Sequence, residues 1–307
     1  MPDYRSSVTF DAPPLGRVGI WTGQLDFQPA AQVRDAAAEV ESLGYSALWT
    51  GEAVGREVLS AAGLLLAATQ RLVIGTGIAN IWARDALAMA AGQRTLAEAY
   101  PDRFVLGIGV SHAPLLAVRG QGYDKPWSFM RDYLAAMEQG RAANRAVPPP
   151  GAAPTVLAAL GPRMLDLARD AADGAHTYFV PPEHTAEARE RLGPGKLLAP
   201  EQVAVLETDP DTAREIARRH TASYLRLSNY TNNLRRLGFA EEEFAGGGSD
   251  RLVDAIAVWG DEGTIAQRVR EHLDAGADHV AVQVLDPDRR GLSRDGWRRL
   301  APALLEL

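Results

Sequence analysis

Short apolar runs rich in β-branched residues alternate with helical patterns about eight times along this 307-residue chain. Runs such as 17–21, 45–49 and 72–78 are typical of strands that are buried on both faces. Each is followed by a segment with helical spacing of its apolar residues, such as 29–43, which ends at Gly44. Strands and helices that alternate in this way predict a parallel sheet.

About eight such units in a chain of this length predict an α/β fold, and more narrowly a (β/α)8 TIM barrel, whose usual size is ~250 residues. The additional length falls in two segments. We expect insertions after strand 4 (approximately 111–150) and after strand 7 (approximately 228–258) within a single domain, 1–307. An open doubly wound sheet is the alternative, and the strand count and length favour the barrel.

The composition excludes several classes of function. A net charge of −7, with no face or tail rich in Lys and Arg, argues against a nucleic-acid partner. The absence of cysteine excludes disulfides, thiolate metal sites and cysteine nucleophiles. The longest apolar run, 61–68, is too short to span a bilayer, and residues 1–5 do not begin a signal peptide. We therefore expect a cytoplasmic protein with no membrane partner.

In a barrel, the active site lies at the carboxyl ends of the strands. Two predicted strands end in glycine pairs, at 75–77 and 107–109. Each pair could begin a dinucleotide-binding fingerprint, but Asn80 and His112 stand where the third glycine would be. Close packing of a helix on a strand explains either pair alone equally well. Other residues at the strand ends include Trp21, Thr50, His176, Tyr178 and Trp259.

The segment 159–163 combines a strand end with a helix start. Gly161 follows the strand, and Pro162 suits the first position of a helix. Free backbone N–H groups at such a start attract phosphate, and the guanidinium of Arg163 adds further donors. A Gly-Pro helix start is also common where no ligand binds.

His112 follows the fourth strand and is a candidate general acid or base near neutral pH. A structural, hydrogen-bonded histidine is the alternative. The histidines lack metal-binding spacing, so we predict no metal site, and 109–111 lacks the glycine of a nucleophile elbow. The remaining histidines on predicted helices, which we expect to be solvated, are His184, His220 and His272.

Four motifs in this order resemble the bacterial luciferase-like monooxygenase superfamily. They are the second-strand motif 44–52, the third-strand motif 74–80, the fourth-strand motif 101–112 and the phosphate-binding turn 158–163. More narrowly, they resemble the actinobacterial members that use the deazaflavin coenzyme F420. The resemblance extends over nearly the whole chain, and the four motifs together are a much stronger signal than any one of them.

The resemblance implies a non-proline cis peptide between Gly77 and Ile78, in a bulge that supports the deazaflavin ring from behind. It also implies how the cofactor is held. The residues expected on the cofactor are Glu52, Thr76, Gly77, Ile78 and Asn80 around the ring, and Gly109, Val110, Ser111, Leu160, Gly161, Pro162 and Arg163 around the ribityl-phosphate arm.

Deazaflavin chemistry is hydride transfer at C5, and the protein must also handle one proton on the substrate. In the sugar-phosphate dehydrogenase branch, a histidine follows the second-strand acid and a glutamate follows the fourth strand. Here Ala53 and His112 occupy these positions, which argues against that reaction. The departure leaves His112 as the first candidate for the proton transfer and Glu52 as the second.

The resemblance thus predicts an F420-dependent oxidoreductase that acts on a small organic substrate, and the family expectation is a homodimer. A monooxygenase that uses reduced FMN is the alternative within the superfamily. A barrel that binds a flavin-like molecule without turnover predicts a blocked ring face. An unrelated barrel hydrolase predicts convergent carboxylates or a metal site.

Overall fold

In the computed structural model of the protein, the described residues are 15–151 and 153–307. Residues 1–5, for which no signal peptide is predicted, lie outside these ranges. Within them, eleven strands pair in parallel in one sheet. The strands are β1 (Val18–Trp21), β2 (Ala47–Thr50), β3 (Val73–Thr76), β4 (Ala79–Asn80), β5 (Phe104–Gly109), β6 (Thr155–Ala158), β7 (Gly174–His176), β8 (Leu197–Leu198), β9 (Glu201–Val205), β10 (Ala257–Trp259) and β11 (Val280–Val284).

The sheet curls round until its ends meet. Along the hydrogen-bonded path the order is β10-β9-β11-β1-β2-β3-β5-β6-β7-β8. β8 is at one end of this path and β9 is next to the other end, yet only residues 199 and 200 separate them in the chain. The two ends of the path must therefore lie side by side, which confirms a curled parallel sheet of the TIM-barrel type.

Helices cover the outside of the sheet. The α-helices are α1 (Ala30–Ser42), α2 (Val58–Ala67), α3 (Ala86–Ala99), α4 (Ala113–Val118), α5 (Pro126–Ala143), α6 (Pro162–Ala171), α7 (Pro182–Leu192), α8 (Pro210–Tyr224), α9 (Ser228–Arg236), α10 (Asp250–Ile256), α11 (Glu262–Asp274) and α12 (Arg294–Leu305). Several begin with the expected cap. The carboxylate of Asp85, for example, accepts the N–H of Ala88 at 2.8 Å at the start of α3.

Alternate residues of each strand enter two different cores, as the two-residue period of a strand requires. Ile74 and Leu106 pack with the surrounding helices in the large outer core. Val73 and Val105 point the other way and join Trp49 inside the curled sheet. Gly75 is required there, because a Cβ on it would lie 2.3 Å from the indole of Trp49. The first glycine of the 75–77 pair therefore serves packing.

The third strand contains a one-residue bulge. Gly75 pairs with Val105, and Ala79 pairs with Ile108. Four steps along the third strand thus match three along β5, so the chain carries one extra residue between β3 and β4. The Gly77–Ile78 peptide bond inside this bulge is cis, as the resemblance implies.

The two long segments consist largely of helices. α5 packs between α3 and α6, so it covers the sheet as the regular helix after β5, and α4 precedes it. Segment 228–258 holds α9, a 3₁₀ segment (Glu241–Gly247) and α10 before it enters β10. β10 was not predicted, because three residues are too few to show a periodic pattern. In the part of the chain that the structure describes, no helix is both long and apolar enough to cross a membrane.

Candidate active site

A cleft of about 960 Å³ opens at the carboxyl ends of the strands. This volume is within the usual range for a site that holds a cofactor or a small ligand. Residues from β1, β5, β6 and β7, the loop after β2, the bulge, and helices α4, α5, α6, α8 and α9 line it. The predicted site residues that line it are Glu52, Gly77, Ile78, Gly109, Val110, Ser111, His112, Leu160, Gly161, Pro162 and Arg163.

The bulge forms part of the cleft wall, and hydrogen bonds fix its backbone. The indole N–H of Trp21 donates to the carbonyl oxygen of Gly77 at 3.2 Å, and the N–H of Glu52 donates to the carbonyl of Ile78 at 3.0 Å. The N–H of Gly77 donates to Thr50 at 2.8 Å. Strands β1 and β2 therefore hold both bulge residues in place, and the side chain of Ile78 presents an apolar surface to the cleft.

Glu52 borders the cleft, but its carboxylate is occupied within the wall. The guanidinium of Arg84 binds both carboxylate oxygens, at 2.9 Å for Nη1–Oε2 and at shorter range for Nη2–Oε1. The N–H of Asn80 donates to Oε2 at 2.8 Å. With only 3% of its side chain exposed, Glu52 joins the second and third strand ends and presents no free carboxylate to the cleft.

Thr76 and Asn80 were expected beside the ring, and the structure instead places both behind the cleft wall. The hydroxyl of Thr76 donates to the carbonyl of Gly107 at 2.7 Å and accepts its N–H at 2.8 Å. The side-chain oxygen of Asn80 accepts the N–H of Trp82 at 3.0 Å. Both residues are buried, and their side chains form hydrogen bonds with backbone groups near the strand ends. Neither residue lines the cleft.

His112 lines the cleft at the start of α4. Its carbonyl accepts the first hydrogen bonds of that helix, and its ring lies 5.5 Å from the ring of Tyr230. Burial lowers the pKa of His112, and a side-chain hydrogen bond with Asn229 partly opposes this effect. The imidazole is therefore neutral at pH 7, which suits a group that accepts a proton.

Three tyrosines line the cleft beside His112. The hydroxyl of Tyr178 is 2.8 Å from that of Tyr224 and donates to the side-chain oxygen of Gln283 at 2.8 Å. Tyr178 has one proton to give, so Tyr224 donates to Tyr178. Burial raises the pKa of Tyr224 to about 12, so its hydroxyl is neutral. The ring of Tyr230 packs at 89° to that of Tyr224. These tyrosines form an uncharged, aromatic wall.

Glu201 is buried beneath this wall. Its Oε2 accepts the N–H of Phe179 at 3.2 Å, and Oε1 has no partner among the described residues. Burial raises the pKa of Glu201 to about 8, so the group is a neutral acid at neutral pH. Glu201 was not among the predicted site residues, and its only signal in the sequence is a charged residue at the start of an apolar strand.

The opposite lip of the cleft is the start of α6. Gly161 caps this helix in extended geometry, and a Cβ on it would meet nothing within 4 Å. The guanidinium of Arg163 lies 4.6 Å from the ring of Trp127, whose indole N–H donates to the Arg163 carbonyl at 3.0 Å. The lip thus combines open space, a helix N-terminus and a positioned cation, which together can hold an anionic group.

The expectation that the helical histidines are solvated is wrong. His184 and His272 are fully buried. The ring of His272 bonds the hydroxyl of Thr185 and the side chain of Gln202, both at 2.8 Å, while His184 Nε2 bonds the carbonyl of Leu160 at 2.8 Å. His220 is partly buried and packs 4.8 Å from the ring of Tyr224. These helices turn the histidines toward the protein interior. The spacing of polar residues along the helices did not reveal this orientation.

Several cleft residues were not singled out from the sequence. They come from α8 and α9, far along the chain from the strand ends, and only the tertiary fold brings them to the cleft. The residues missed in this way are Tyr224, Asn229 and Tyr230. Trp127, which positions Arg163, was missed for the same reason.

A family model described as luciferase-like monooxygenase matches residues 12–279. The chain belongs to the luciferase-like monooxygenase family. A 5,10-methylenetetrahydromethanopterin reductase from Methanolobus tindarius is 23% identical over 294 residues, which cover 83% of this chain and 90% of the relative.

Two solved structures share the fold. An F420-dependent secondary alcohol dehydrogenase in complex with an F420-acetone adduct has a TM-score of 0.76 at 16% identity, over 94% of this chain and 99% of the other. A type II Baeyer-Villiger monooxygenase from Pseudomonas putida in complex with FMN has a TM-score of 0.68 at 11% identity, over 94% and 96%. The fold of this luciferase-like protein is thus found with both cofactors.

The site geometry bears on the other two alternatives. A hydrolase requires convergent free carboxylates or a metal, but of the two acidic residues that line the cleft, Asp26 and Glu52, the second is paired with Arg84. Among the described residues, no three His, Cys, Asp or Glu side chains converge as a metal site would require. A non-catalytic barrel requires a blocked ring face, whereas the cleft in front of the bulge is open.

Proposed function

We propose that this luciferase-like protein is an F420-dependent oxidoreductase that transfers a hydride between the deazaflavin and a small organic substrate. The observation that carries the proposal is the pairing of two features in one cleft: an apolar bulge at Gly77–Ile78 and, at Gly161–Arg163, an open helix N-terminus with an arginine. A flat ring and a phosphate arm require such a pair. The likeness in fold to the F420-dependent secondary alcohol dehydrogenase supports the same cofactor.

The residues present fit this cofactor. The middle of the cleft is apolar, with Trp21, Ile78 and Leu160, and Arg163 supplies a positive charge at the lip. The bound deazaflavin would supply the hydride donor or acceptor carbon. The bulge would support the ring, and the start of α6 would bind the phosphate. Gly109, Val110 and Ser111 would border the arm between them.

Proton transfer is assigned to His112. It is neutral at pH 7, lines the cleft and stands among tyrosines that are also neutral. It would take the proton from a substrate hydroxyl during oxidation or return it during reduction. Glu52, the second candidate, would hold the second and third strand ends together and would not transfer the proton, because Arg84 and the N–H of Asn80 bind its carboxylate oxygens.

Segments 111–150 and 228–258 would form the substrate side of the cleft. Leu115 and Tyr123 from the first segment line it, as do Asn229 and Tyr230 from the second. The substrate would bind between these segments and the bulge. We also propose a homodimer, which sedimentation of the purified protein would test.

Binding of F420 and FMN to the purified protein tests the proposed cofactor. Trp21 and Trp127 line the cleft, so a bound ring is expected to quench their fluorescence. F420 should bind at least about tenfold more tightly than FMN, which corresponds to about 1.4 kcal/mol. Tighter binding of FMN would support the monooxygenase alternative, for which the FMN-bound structural neighbour is the favouring observation. Failure of both to bind would refute the proposal.

A further inference from the structure

Two large apolar side chains lie exposed at the mouth of the cleft. Phe27, in the turn after β1, is 56% exposed, Val54, in the loop after β2, is 66% exposed, and both line the cleft. The two segments are in contact. The N–H of Arg56 donates to the carboxylate of Asp26 at 3.0 Å, and a Cβ on Gly55 would collide with the same carboxylate. The two side chains therefore stand on adjoining segments, and we call them the apolar mouth.

The apolar mouth lies on the opposite side of the bulge from the proposed phosphate site. Neighbouring strands of the sheet follow the order β1-β2-β3-β5-β6. The bulge follows β3, the start of α6 follows β6, and the two residues of the mouth follow β1 and β2. A cofactor that extends from the bulge to the start of α6 therefore leaves the mouth uncovered.

Helix α4 connects the region of His112 with the mouth. His112 and Arg119 cap its two ends, and the guanidinium of Arg119 donates to the carbonyl of Ala53, beside the mouth, at 3.1 Å. With six residues, α4 spans about 9 Å. Pro114 and Leu115 on this helix line the cleft. A substrate that reacts beside His112 therefore has an apolar path of roughly the length of α4 to the mouth.

Positive charge in the cleft is confined to its other end. Among the described residues, Arg163 at the start of α6 is the one lysine or arginine that lines the cleft. Asp26 lines it beside the mouth, where its carboxylate repels an anion. Three other arginines approach the mouth, but none of them lines the cleft; they are Arg56, Arg119 and Arg290. The mouth therefore offers an apolar surface and no cation to a bound substrate.

We propose that the apolar mouth binds the apolar group of an uncharged substrate whose reacting carbon lies at the cofactor ring beside His112. The inference rests on the proposed function and adds the class of substrate, an uncharged alcohol or ketone that carries an aryl or alkyl group. Contact of this group with Phe27 and Val54 removes apolar surface of both partners from water, which favours binding. A phosphate or carboxylate placed there would lose water without gaining a cation.

Complexes with ketones test the apolar mouth without any reaction. Oxidised F420 has no hydride to give, so a ketone forms a dead-end complex with the F420-loaded protein, and calorimetry gives its dissociation constant. 4-Phenyl-2-butanone and 2-butanone share the methyl ketone and differ by a phenyl group. The phenyl ketone should bind at least about tenfold more tightly, because its ring is buried against the mouth. Equal affinities would overturn the proposal.

The acid 4-oxopentanoate and its methyl ester test whether the substrate must be uncharged. Both carry a methyl ketone on the same carbon chain, and only the acid has a charge. On the F420-loaded protein, we expect the acid to bind at least about tenfold more weakly than the ester, because its carboxylate loses water and meets no cation. An acid that binds as tightly as the ester, or more tightly, would contradict the proposed class.

Phe27→Ala and Val54→Thr test the two residues of the mouth, and Val147→Thr is the matched control. Val147 is 70% exposed, as far from burial as the other two, and does not line the cleft. The advantage of the phenyl ketone over 2-butanone should fall by about threefold in Phe27→Ala and about twofold in Val54→Thr, and should not change in the control. An unchanged advantage in both cleft variants would place the phenyl group elsewhere and overturn the proposal.

Cofactor binding, measured first, separates this inference from the proposed function. A protein that binds neither F420 nor FMN would refute both. Binding of F420 with no preference for the phenyl ketone would refute this inference alone. If FMN binds more tightly, the ketone pair is measured on the complex with oxidised FMN. A preference for the phenyl ketone there would support the apolar mouth as a substrate site although the F420 assignment fails.

Discussion

The titratable residues of the cleft differ in whether their neighbours leave them free to exchange a proton. Arg84 and the Asn80 N–H occupy the carboxylate of Glu52, whereas His112 has a neutral ring at the cleft surface. A group that moves a proton must be able to gain and lose one near the working pH. The geometry therefore favours the imidazole over the carboxylate, although both follow strand ends in the sequence.

Replacement of His112 tests this assignment. In His112→Ala, turnover should fall by roughly 100-fold or more, the usual contribution of a general acid or base, while the affinity for F420 changes little. Single-turnover kinetics and cofactor titration measure the two effects separately. A variant with unchanged turnover would remove His112 from the reaction.

The pH profile gives a second test of His112. Its pKa is lowered, so the neutral form persists below the ordinary pKa of 6.5. The acid limb of kcat/KM for substrate oxidation should therefore lie below pH 6.5 and should be lost in His112→Gln. A limb at or above the ordinary value, or one that the variant retains, would point to another group.

Glu201 makes the stability of the fold depend on pH. Its pKa is about 8 in the folded protein against an ordinary value of 4.5, so the folded state holds a proton that the unfolded state releases between these values. The free energy of unfolding should therefore fall as the pH rises through this window, by up to about 1.4 kcal/mol per pH unit. Glu201→Gln, which resembles the neutral acid, should lack this decrease.

Urea unfolding at pH 6.5 and 8 measures the Glu201 effect. The buried histidines change the stability in the opposite direction, because they still bind protons near pH 6.5 in the unfolded state, whereas their lowered pKa values, such as about 3 for His272, keep them neutral in the folded state. Glu201→Gln keeps all of these histidines, so the difference between the two proteins isolates the effect of Glu201. The same pH dependence in both proteins would show that Glu201 is ionised in the folded state.

At the scale of elements, the glycines at two strand ends, Gly77 and Gly161, have different surroundings. A Cβ on Gly77 would collide with Trp21 and His176, whereas one on Gly161 would meet nothing within 4 Å. The bulge thus needs glycine for its own packing. The start of α6 does not, so the open space there is available to a ligand.

These two glycines give a matched pair of variants. Gly77→Ala should destabilise the protein by about 1–3 kcal/mol, the usual cost of overpacking. Gly161→Ala should leave the melting temperature nearly unchanged but should weaken binding of F420 several-fold, because the methyl group enters the space proposed for the phosphate.

Thermal unfolding and cofactor titration check the pair. A deazaflavin that lacks the phosphate arm serves as the control, and Gly161→Ala should bind it as the unmodified protein does. An equal loss of affinity for both molecules would place the phosphate elsewhere.

At the scale of the whole molecule, one cleft gathers residues from four strands, two strand-end loops and five helices. A ligand bound there contacts many elements at once and should stabilise them as a unit. F420 at 100 times its dissociation constant should add about 2.7 kcal/mol to the free energy of unfolding. For 307 residues this corresponds to a rise of about 4 °C in Tm, which calorimetry can measure. Two separate transitions, of which only one shifts, would contradict a single cooperative unit.

The sequence by itself determined the alternation of strands and helices, and with it the curled parallel sheet. It could do so because buried strands and amphipathic helices leave local, periodic patterns. Through the resemblance of its motifs to the family, it also located the bulge at Gly77–Ile78, and a Gly-Pro helix start marked the lip at Gly161–Arg163.

The tertiary structure alone decided which of these residues face the cleft. Thr76 and Asn80 are turned into the wall, Arg84 occupies Glu52, and α8 and α9 bring in the tyrosines. These facts depend on side-chain directions and on contacts between segments far apart in the chain. No local pattern contains them, because a hydrogen bond such as that from His176 to Ala199 is formed only when the strands come together.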